Sequence, residues 1–190
     1  MMNEIIEEQE FKGINFKAEQ LKKADYEYCV FRNCNFAGVE LSNYSFTECE
    51  FANCDMSSAK LLHTSLKEVS FNNCKLLGIH FDQCNTFLLA MGFNSCQLDL
   101  SSFYQLILKQ TVFNNCSVKE VDFVETDLTE AKFNDCDLSG ATFENAVLTK
   151  ADLRNAFGYD IDPEINQISK MRVSSTDLRG LLSKHDLRID

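Results

Sequence analysis

Cysteine and histidine are the residues of this chain that could bind a metal, form disulfides or carry redox chemistry. Nine cysteines and three histidines occur among 190 residues. The cysteines are Cys29, Cys34, Cys49, Cys54, Cys74, Cys84, Cys96, Cys116 and Cys136. Zinc and thiol-exchange sites usually carry two cysteines separated by two residues, and no such pair occurs here. Because the spacings instead follow a repeat, we interpret the cysteines as small buried hydrophobic side chains. Metal or redox chemistry is the alternative.

The histidines and carboxylates show no catalytic arrangement either. His63, His80 and His185 lie far apart in the sequence, and we expect the first two on the surface. Motifs of phosphate-binding loops, serine hydrolases and zinc peptidases do not occur in the sequence. Carboxylates are abundant, but acid–base catalysis needs a cleft that removes them from water. The sequence therefore predicts a protein that is not an enzyme and binds no cofactor or metal.

Large apolar residues recur at every fifth position through most of the chain. The series is Phe11, Phe16, Leu21, Tyr26, Phe31, Phe36, Leu41, Phe46, Phe51, Met56, Leu61, Leu66, Phe71, Leu76 and Phe81, and it resumes at Phe93. Two residues before most of these positions lies a small or modest side chain, such as Ala24, Cys29 or Cys34. A period of five fits neither an α-helix nor a β-strand. The chain must therefore turn by the same angle every five residues, and four such turns would close a square coil of twenty residues.

A twenty-residue coil predicts that similar residues stack in columns. Phe31, Phe51 and Phe71 are each followed by two residues and then a cysteine. Coils stacked about 4.8 Å apart would let these side chains interdigitate in one core. The ends of the rod would leave unpaired coil edges.

The interval from Phe71 to Phe93 is 22 residues, so two residues are inserted. We assign the insertion to Thr86 and Phe87, with Leu88 returning to the inner column. Phe87 then points outward or sits in a bulge. Such a bulge either bends the coil or exposes Phe87 as a contact residue.

Three regions follow from these patterns. Residues 1–8 are predicted to form an N-terminal arm, residues 9–157 a repeat rod of about 7–8 coils, and residues 158–190 a last imperfect coil followed by a short helix and strand. Ser174 and Asp177 fit a helix N-cap and its partner. Leu178, Leu181 and Leu182 fit one helical face, and Leu187 and Ile189 alternate like a strand. This tail either caps the rod or pairs with a second copy.

The repeat resembles that of the pentapeptide-repeat family, whose consensus is A(D/N)LXX. Matching segments are Ala131-Lys132-Phe133, Ala141-Thr142-Phe143 and Ala151-Asp152-Leu153. The resemblance implies an all-β solenoid, specifically a right-handed quadrilateral β-helix. The segment from Ile161 to Ile189 resembles the C-terminal segments of the Qnr-type quinolone-resistance group, which join two rods. This implies a homodimer through Leu178, Leu181, Leu182, Leu187 and Ile189.

The formal charge of −11 limits the classes of partner. Direct nucleic-acid binding requires a basic groove, so we expect none, whereas an acidic rod suits a basic partner. No apolar run approaches the ~18 residues of a membrane span, and the N-terminus does not resemble a signal peptide. We therefore expect a cytoplasmic protein that has no membrane segment, and nine reduced thiols fit that compartment.

Two functions remain open from the sequence. The Qnr-type resemblance implies DNA mimicry toward DNA gyrase or topoisomerase IV with protection from quinolones, although this chain has a two-residue insertion where that group carries two long loops. The alternative is a protein-interaction scaffold unrelated to DNA topology. The partner-binding candidates are Phe87, Glu48, Glu68, Glu120, Asp122, Glu125, Asp127, Glu130 and Asp137.

Overall fold

The computed structural model describes residues 4–185 and 187–188, and it is a parallel β-solenoid. Its strands are β1 Ile5–Glu7, β2 Glu10–Lys12, β3 Asp25–Glu27, β4 Val30–Arg32, β5 Ser45–Thr47, β6 Glu50–Ala52, β7 Ser65–Lys67, β8 Val69–Asn72, β9 Met91–Asn94, β10 Val112–Asn114 and β11 Lys132–Asn134. Short 3₁₀ helices span Phe81–Gln83, Ser175–Leu181 and Ser183–His185. None of these described helices could cross a bilayer.

Four faces surround one core, and we number them by the inner residue of an early coil: face 1 by Phe11, face 2 by Phe16, face 3 by Leu21 and face 4 by Tyr26. Face 1 is a seven-stranded parallel sheet, and face 4 includes a four-stranded one, β1-β3-β5-β7. Partners such as Phe31 and Phe51 are twenty residues apart. Isolated parallel bridges continue the same register on faces 2 and 3. The predicted columns and twenty-residue coil are therefore confirmed.

The corners explain why few glycines are needed. One residue at most corners has a positive φ, between 50° and 63° for the non-glycine residues, and Asn, Glu, Ser and Lys occupy many of these positions. At one corner the amide of Ala59 donates to the carbonyl of Met56 at 2.9 Å, and Ser58 has a φ of 56°. Polar residues are tolerated here because the paired coils on either side fix the turn.

The insertion has a different geometry from the one predicted. Asn85 still pairs with Ser65, whereas Phe93 pairs with Phe71. Between them Leu88 adopts a φ of 57° and is 64% exposed, so its assignment to the inner column is wrong. Leu89 packs partly against the core instead. The extra residues thus form a corner turn whose tip, Phe87 and Leu88, points outward.

The predicted N-terminal boundary of the rod changes. Residues 5–7 are strand β1, which pairs with β3, and Ile6 packs against the core, so the coil begins before the predicted limit of residue 9. Toward the other end, Asp152 bridges Arg172, so an irregular coil lies in the range 158–190, where the sequence predicts one. Leu187 lies outside any strand, and Ile189 lies outside the described residues.

The C-terminal helix is capped as predicted, with one change in partner. The Ser174 hydroxyl accepts a hydrogen bond from the Thr176 amide at 3.3 Å. Asp177 accepts instead from the Thr176 hydroxyl, at 2.7 Å. The helix is a 3₁₀ helix, in which residues three apart lie one above the other. Leu178 and Leu181 therefore share one side, whereas Leu182 is the C-cap residue beyond the helix.

Candidate functional surfaces

The cysteines lie inside the solenoid and support its backbone. All nine are unpaired and buried. The Cys54 thiol donates to the carbonyl of Phe31 in the preceding coil at 3.3 Å, and Cys74 donates to Phe51 at 3.3 Å. Thr64 makes the same contact with Leu41 at 2.8 Å. These cysteines therefore act as small core residues with a donor, and the described part of the chain contains no group of three His, Cys, Asp or Glu residues suited to a metal.

The histidines are placed on the surface. His63 is exposed at a corner, with a φ of 57°. His80 is exposed on face 3, where its Nδ1 lies 3.2 Å from a carboxylate oxygen of Asp82. His185 is exposed in the last 3₁₀ helix. Their positions on separate parts of the rod give no shared site.

Three of the predicted partner-binding carboxylates have a structural role at the corners. Asp127 accepts the amide of Thr129 at 3.0 Å and its hydroxyl at 2.6 Å. Asp122 accepts the amide of Val124 at 2.9 Å, and Asp137 that of Ser139 at 3.1 Å. An Asp or Asn side chain that accepts an amide two residues ahead stabilises a turn. This contact gives a physical reason for the D/N position of the repeat consensus.

Some of these carboxylates are also paired with lysines. Lys109 lies 3.2 Å from Asp127, Lys119 lies 3.1 Å from Asp137, and Lys150 lies 2.7 Å from Glu130. Burial opposes ionisation of Asp127, but the Thr129 hydrogen bonds and Lys109 outweigh it and hold its pKa below the usual range. Asp127, Glu130 and Asp137 are therefore less available to a partner than the sequence suggests.

Replacing Asp127 with Ala should lower the free energy of unfolding by about 1 kcal/mol, as expected for a lost side-chain cap. Asp127→Asn should cost less because it keeps the oxygen that accepts the Thr129 amide. Since folding lowers the Asp127 pKa, its ionic contribution is present above the unfolded pKa and is lost as pH falls through the folded one. Urea unfolding at pH 7 and below pH 4 measures this ionic contribution. If the difference in free energy of unfolding between wild type and Asp127→Asn were the same at both pH values, the prediction would be contradicted.

A surface that carries negative but no lysine or arginine charge, which we call the carboxylate face, lies on the later part of face 3. Its outward positions between residues 78 and 145 contain no lysine or arginine. The carboxylates on it are Asp82, Glu120, Asp122, Glu125 and Glu144. Leu100 and Tyr104 lie among them and are 63% and 39% exposed. The face thus combines negative charge with apolar anchors.

The corner between faces 4 and 1, which we call the dipolar corner, carries a different pattern. Its outward columns, including that of Ile107, contain eight carboxylates and three cations in the first four coils, namely Glu7, Glu8, Glu10, Asp25, Glu27, Glu48, Glu50 and Glu68 against Lys12, Arg32 and Lys67. After the insertion the same columns contain Lys109, Lys132, Lys150, Arg154, Lys170 and Arg172, against Asp127, Glu130 and Asp152. The corner is therefore acidic along one half and basic along the other.

An apolar patch separates the two halves of this corner. Phe87, Leu88 and Ile107 are 66%, 64% and 66% exposed, and Val112 is 40% exposed. The Phe87 ring lies 5.8 Å from the Lys67 ammonium. Of these, only Phe87 was identified from the sequence. The others could have been found by following each outward column through the insertion, had its register been assigned correctly.

The C-terminal leucines lie in a segment that packs on the end of its own rod. The carbonyl of Gly180 accepts the Ile161 amide at 2.8 Å, and a Cβ at Gly180 would meet the Tyr159 carbonyl oxygen. Lys184 is 2.7 Å from both Asp162 and Glu164. Leu181 packs against the core, Leu182 is half-buried, and Leu178 and Leu187 are exposed. Dimerisation through these residues stays a prediction.

Comparison with known proteins gives one family and several similar structures. Two matches to the family model described as "Pentapeptide repeat region" cover residues 24–87 and 88–156. HetL, a pentapeptide repeat protein involved in heterocyst differentiation regulation from the cyanobacterium Nostoc sp. strain PCC 7120, is 18% identical. It superposes with a TM-score of 0.71 over 96% of this chain and 90% of HetL.

A trypsin-treated form of QnrB1, a plasmid-mediated fluoroquinolone resistance protein, is 20% identical to this chain. Its TM-score is 0.50, over 98% of this chain and 100% of that one. At these identities the similarity shows a shared fold. No curated protein matches the chain significantly in sequence.

Proposed function

Because the chain belongs to the pentapeptide-repeat family, we propose that it is a non-enzymatic rod that binds a basic protein partner through the carboxylate face. The observation that carries this proposal is the absence of any lysine or arginine from that face between residues 78 and 145. A single-signed surface raises the local concentration of a partner of opposite charge and orients its approach. Leu100 and Tyr104 would then add the apolar contact that holds the complex.

The exposed glutamates are better suited to this role than the aspartates. Glu120 and Glu125 are exposed, and Glu125 is contacted by the Gln105 amide at 2.7 Å. Asp122 is half-buried and stabilises its own turn. Changing the glutamates should therefore alter binding without weakening the fold.

Quantitative affinity capture from a bacterial lysate tests the proposal. Wild-type protein should retain a partner that Glu120→Lys/Glu125→Lys loses. Glu19→Lys/Asp135→Lys makes the same change in net charge at exposed positions outside both this face and the dipolar corner, and it should retain the partner. Equal capture by both variants would exclude the carboxylate face. We expect the partner in the reducing cytoplasm, where nine thiols remain unpaired.

The narrower proposal is that the partner is DNA gyrase or topoisomerase IV, and that the carboxylates replace phosphates of DNA. Adjacent coils rise by about 4.8 Å, which is comparable with the ~3.4 Å phosphate spacing along one DNA strand. The fold shared with QnrB1, a fluoroquinolone resistance protein, makes this the first enzyme class to test.

Purified protein should restore supercoiling by fluoroquinolone-inhibited gyrase, or inhibit the free enzyme. Glu120→Lys/Glu125→Lys should need about tenfold more protein for the same effect, equivalent to about 1.4 kcal/mol. The Glu19→Lys/Asp135→Lys variant should match wild type. No effect at a large excess over either enzyme would reject the topoisomerase proposal and leave the capture experiment to decide the broader one.

A further inference from the structure

We propose that two copies of this chain associate side by side and antiparallel along the dipolar corner, with the apolar patch on the two-fold axis. The proposal does not depend on the carboxylate face, which lies on face 3 and would remain uncovered. The partner that fits the dipolar corner is a second copy of the chain, because the charges along this corner are complementary to those of the same corner running in the opposite direction. The argument rests on charge order, apolar exposure and an interruption in the hydrogen-bond ladder.

Charge order is the first observation. The acidic half of the corner has eight carboxylates and three cations, a net charge of −5, and the basic half has six cations and three carboxylates, a net charge of +3. Within one chain, Arg32 contacts Glu10 and Glu50 at 3.0 and 3.6 Å. In the basic half, Lys150 contacts Glu130 and Lys109 contacts Asp127. An antiparallel copy places each half against its opposite, whereas a parallel copy places like charges together.

The apolar patch lies where these halves meet. A two-fold interface brings the same surface of both copies together. Phe87, Leu88, Ile107 and Val112 would then meet their own counterparts at the centre, with charged residues on both sides. Apolar contact at the centre and charge at the rim is the usual distribution in a specific interface. Two copies that each carry a net charge of −11 can associate stably because the apolar patches and the opposite charges of the two corners match locally.

The third observation is a break in the backbone ladder at the same place. Asn85 pairs with Ser65, and Ile107 pairs with Asp127. No pairing joins Asn85 to Ile107 among the described residues, although their register makes them neighbours on face 4. The insertion thus interrupts the bridge register on face 4 and turns the exposed Phe87–Leu88 tip outward. This apolar tip offers a contact that the polar corners of the regular coils do not.

Sedimentation equilibrium tests the apolar centre of this interface. Wild-type protein should show a dimer whose population rises with concentration. Phe87→Asp/Ile107→Asp should be monomeric, because the change buries unpaired carboxylates on the axis. Leu100→Asp/Tyr104→Asp introduces the same two charges at residues that are 63% and 39% exposed on the carboxylate face, and it should remain dimeric.

Charge exchange tests the antiparallel arrangement itself. Glu48→Lys/Glu68→Lys and Lys150→Glu/Lys170→Glu should each raise the dimer dissociation constant about tenfold or more. The variant with all four changes again carries opposite charges at these positions of the two halves, so it should dimerise more tightly than either double variant. A purely structural defect would not be recovered in this way.

Three results would overturn the proposal. The first is a wild-type protein that remains monomeric at every accessible concentration. The second is a dimer that survives Phe87→Asp/Ile107→Asp but is lost in Leu178→Asp/Leu187→Asp, which would place the contact at the C-terminal end. The third is a fourfold charge variant that is no tighter than either double variant.

Discussion

Phe113→Ala should lower the free energy of unfolding by about 3–5 kcal/mol, the range for removing a fully buried aromatic side chain. The Phe113 ring stacks between Phe93 and Phe133 at centroid distances of 5.2 and 4.7 Å. It also meets Phe103 and Phe123 edge-on at 6.1 and 6.0 Å. Coils on either side are held only by their neighbours, so the cavity weakens both coil interfaces. Urea unfolding followed by far-UV circular dichroism measures the effect.

Phe87→Ala is the matched control, since it makes the same chemical change at a residue that is 66% exposed. It should change the free energy of unfolding by less than about 0.5 kcal/mol when measured on monomeric protein. Phe113→Leu should lie between wild type and Phe113→Ala, because Leu153 occupies the equivalent inner position of a later coil. Equal losses for the two alanine variants would contradict the ordering by burial.

The core was predictable because one constraint repeats. Each inner side chain must contact similar residues one coil above and below, so Phe31, Phe51 and Phe71 recur at the interval that the strand pairing shows. One residue that departs from the pattern affects one column only, whereas more than two dozen positions follow the five-residue period. Both the fold and the length of its coil could therefore be predicted from the sequence.

The insertion and the surface were less predictable, for physical reasons. Placing Leu88 inside satisfies the five-residue period, but the corner turn needs a positive φ at that position and exposes the side chain, so Leu89 contacts the core instead. Composition also cannot distinguish a carboxylate that stabilises its own corner, such as Asp127, from an exposed one such as Glu125. The two carboxylates differ because Asp127 accepts a hydrogen bond from the amide of Thr129, two residues ahead, and composition does not reveal this bond.

The nine thiols should react very slowly in the native protein and completely after unfolding. All are buried and none is disulfide-bonded. Burial raises the pKa of Cys49 and of Cys84 to about 12, which removes the reactive thiolate near neutral pH at these two sites, and burial keeps the reagent from the other seven. Labelling therefore requires local opening as well as deprotonation. An opening free energy of about 3 kcal/mol alone slows the reaction by more than a hundredfold. N-ethylmaleimide labelling followed by peptide mass spectrometry measures each site.

The order in which the cysteines are labelled shows whether the rod opens equally along its length or first at its insertion. Cys84 is the most exposed of the nine, at 6%, and it lies beside the interrupted ladder. It should therefore react first, whereas Cys116 and Cys136 lie among regularly paired coils and should react last. Leu100→Cys supplies an exposed reference thiol in the same chain and should react at once. If native Cys116 reacted as fast as that reference, the column would be accessible, and the packing interpretation of the cysteines would fail.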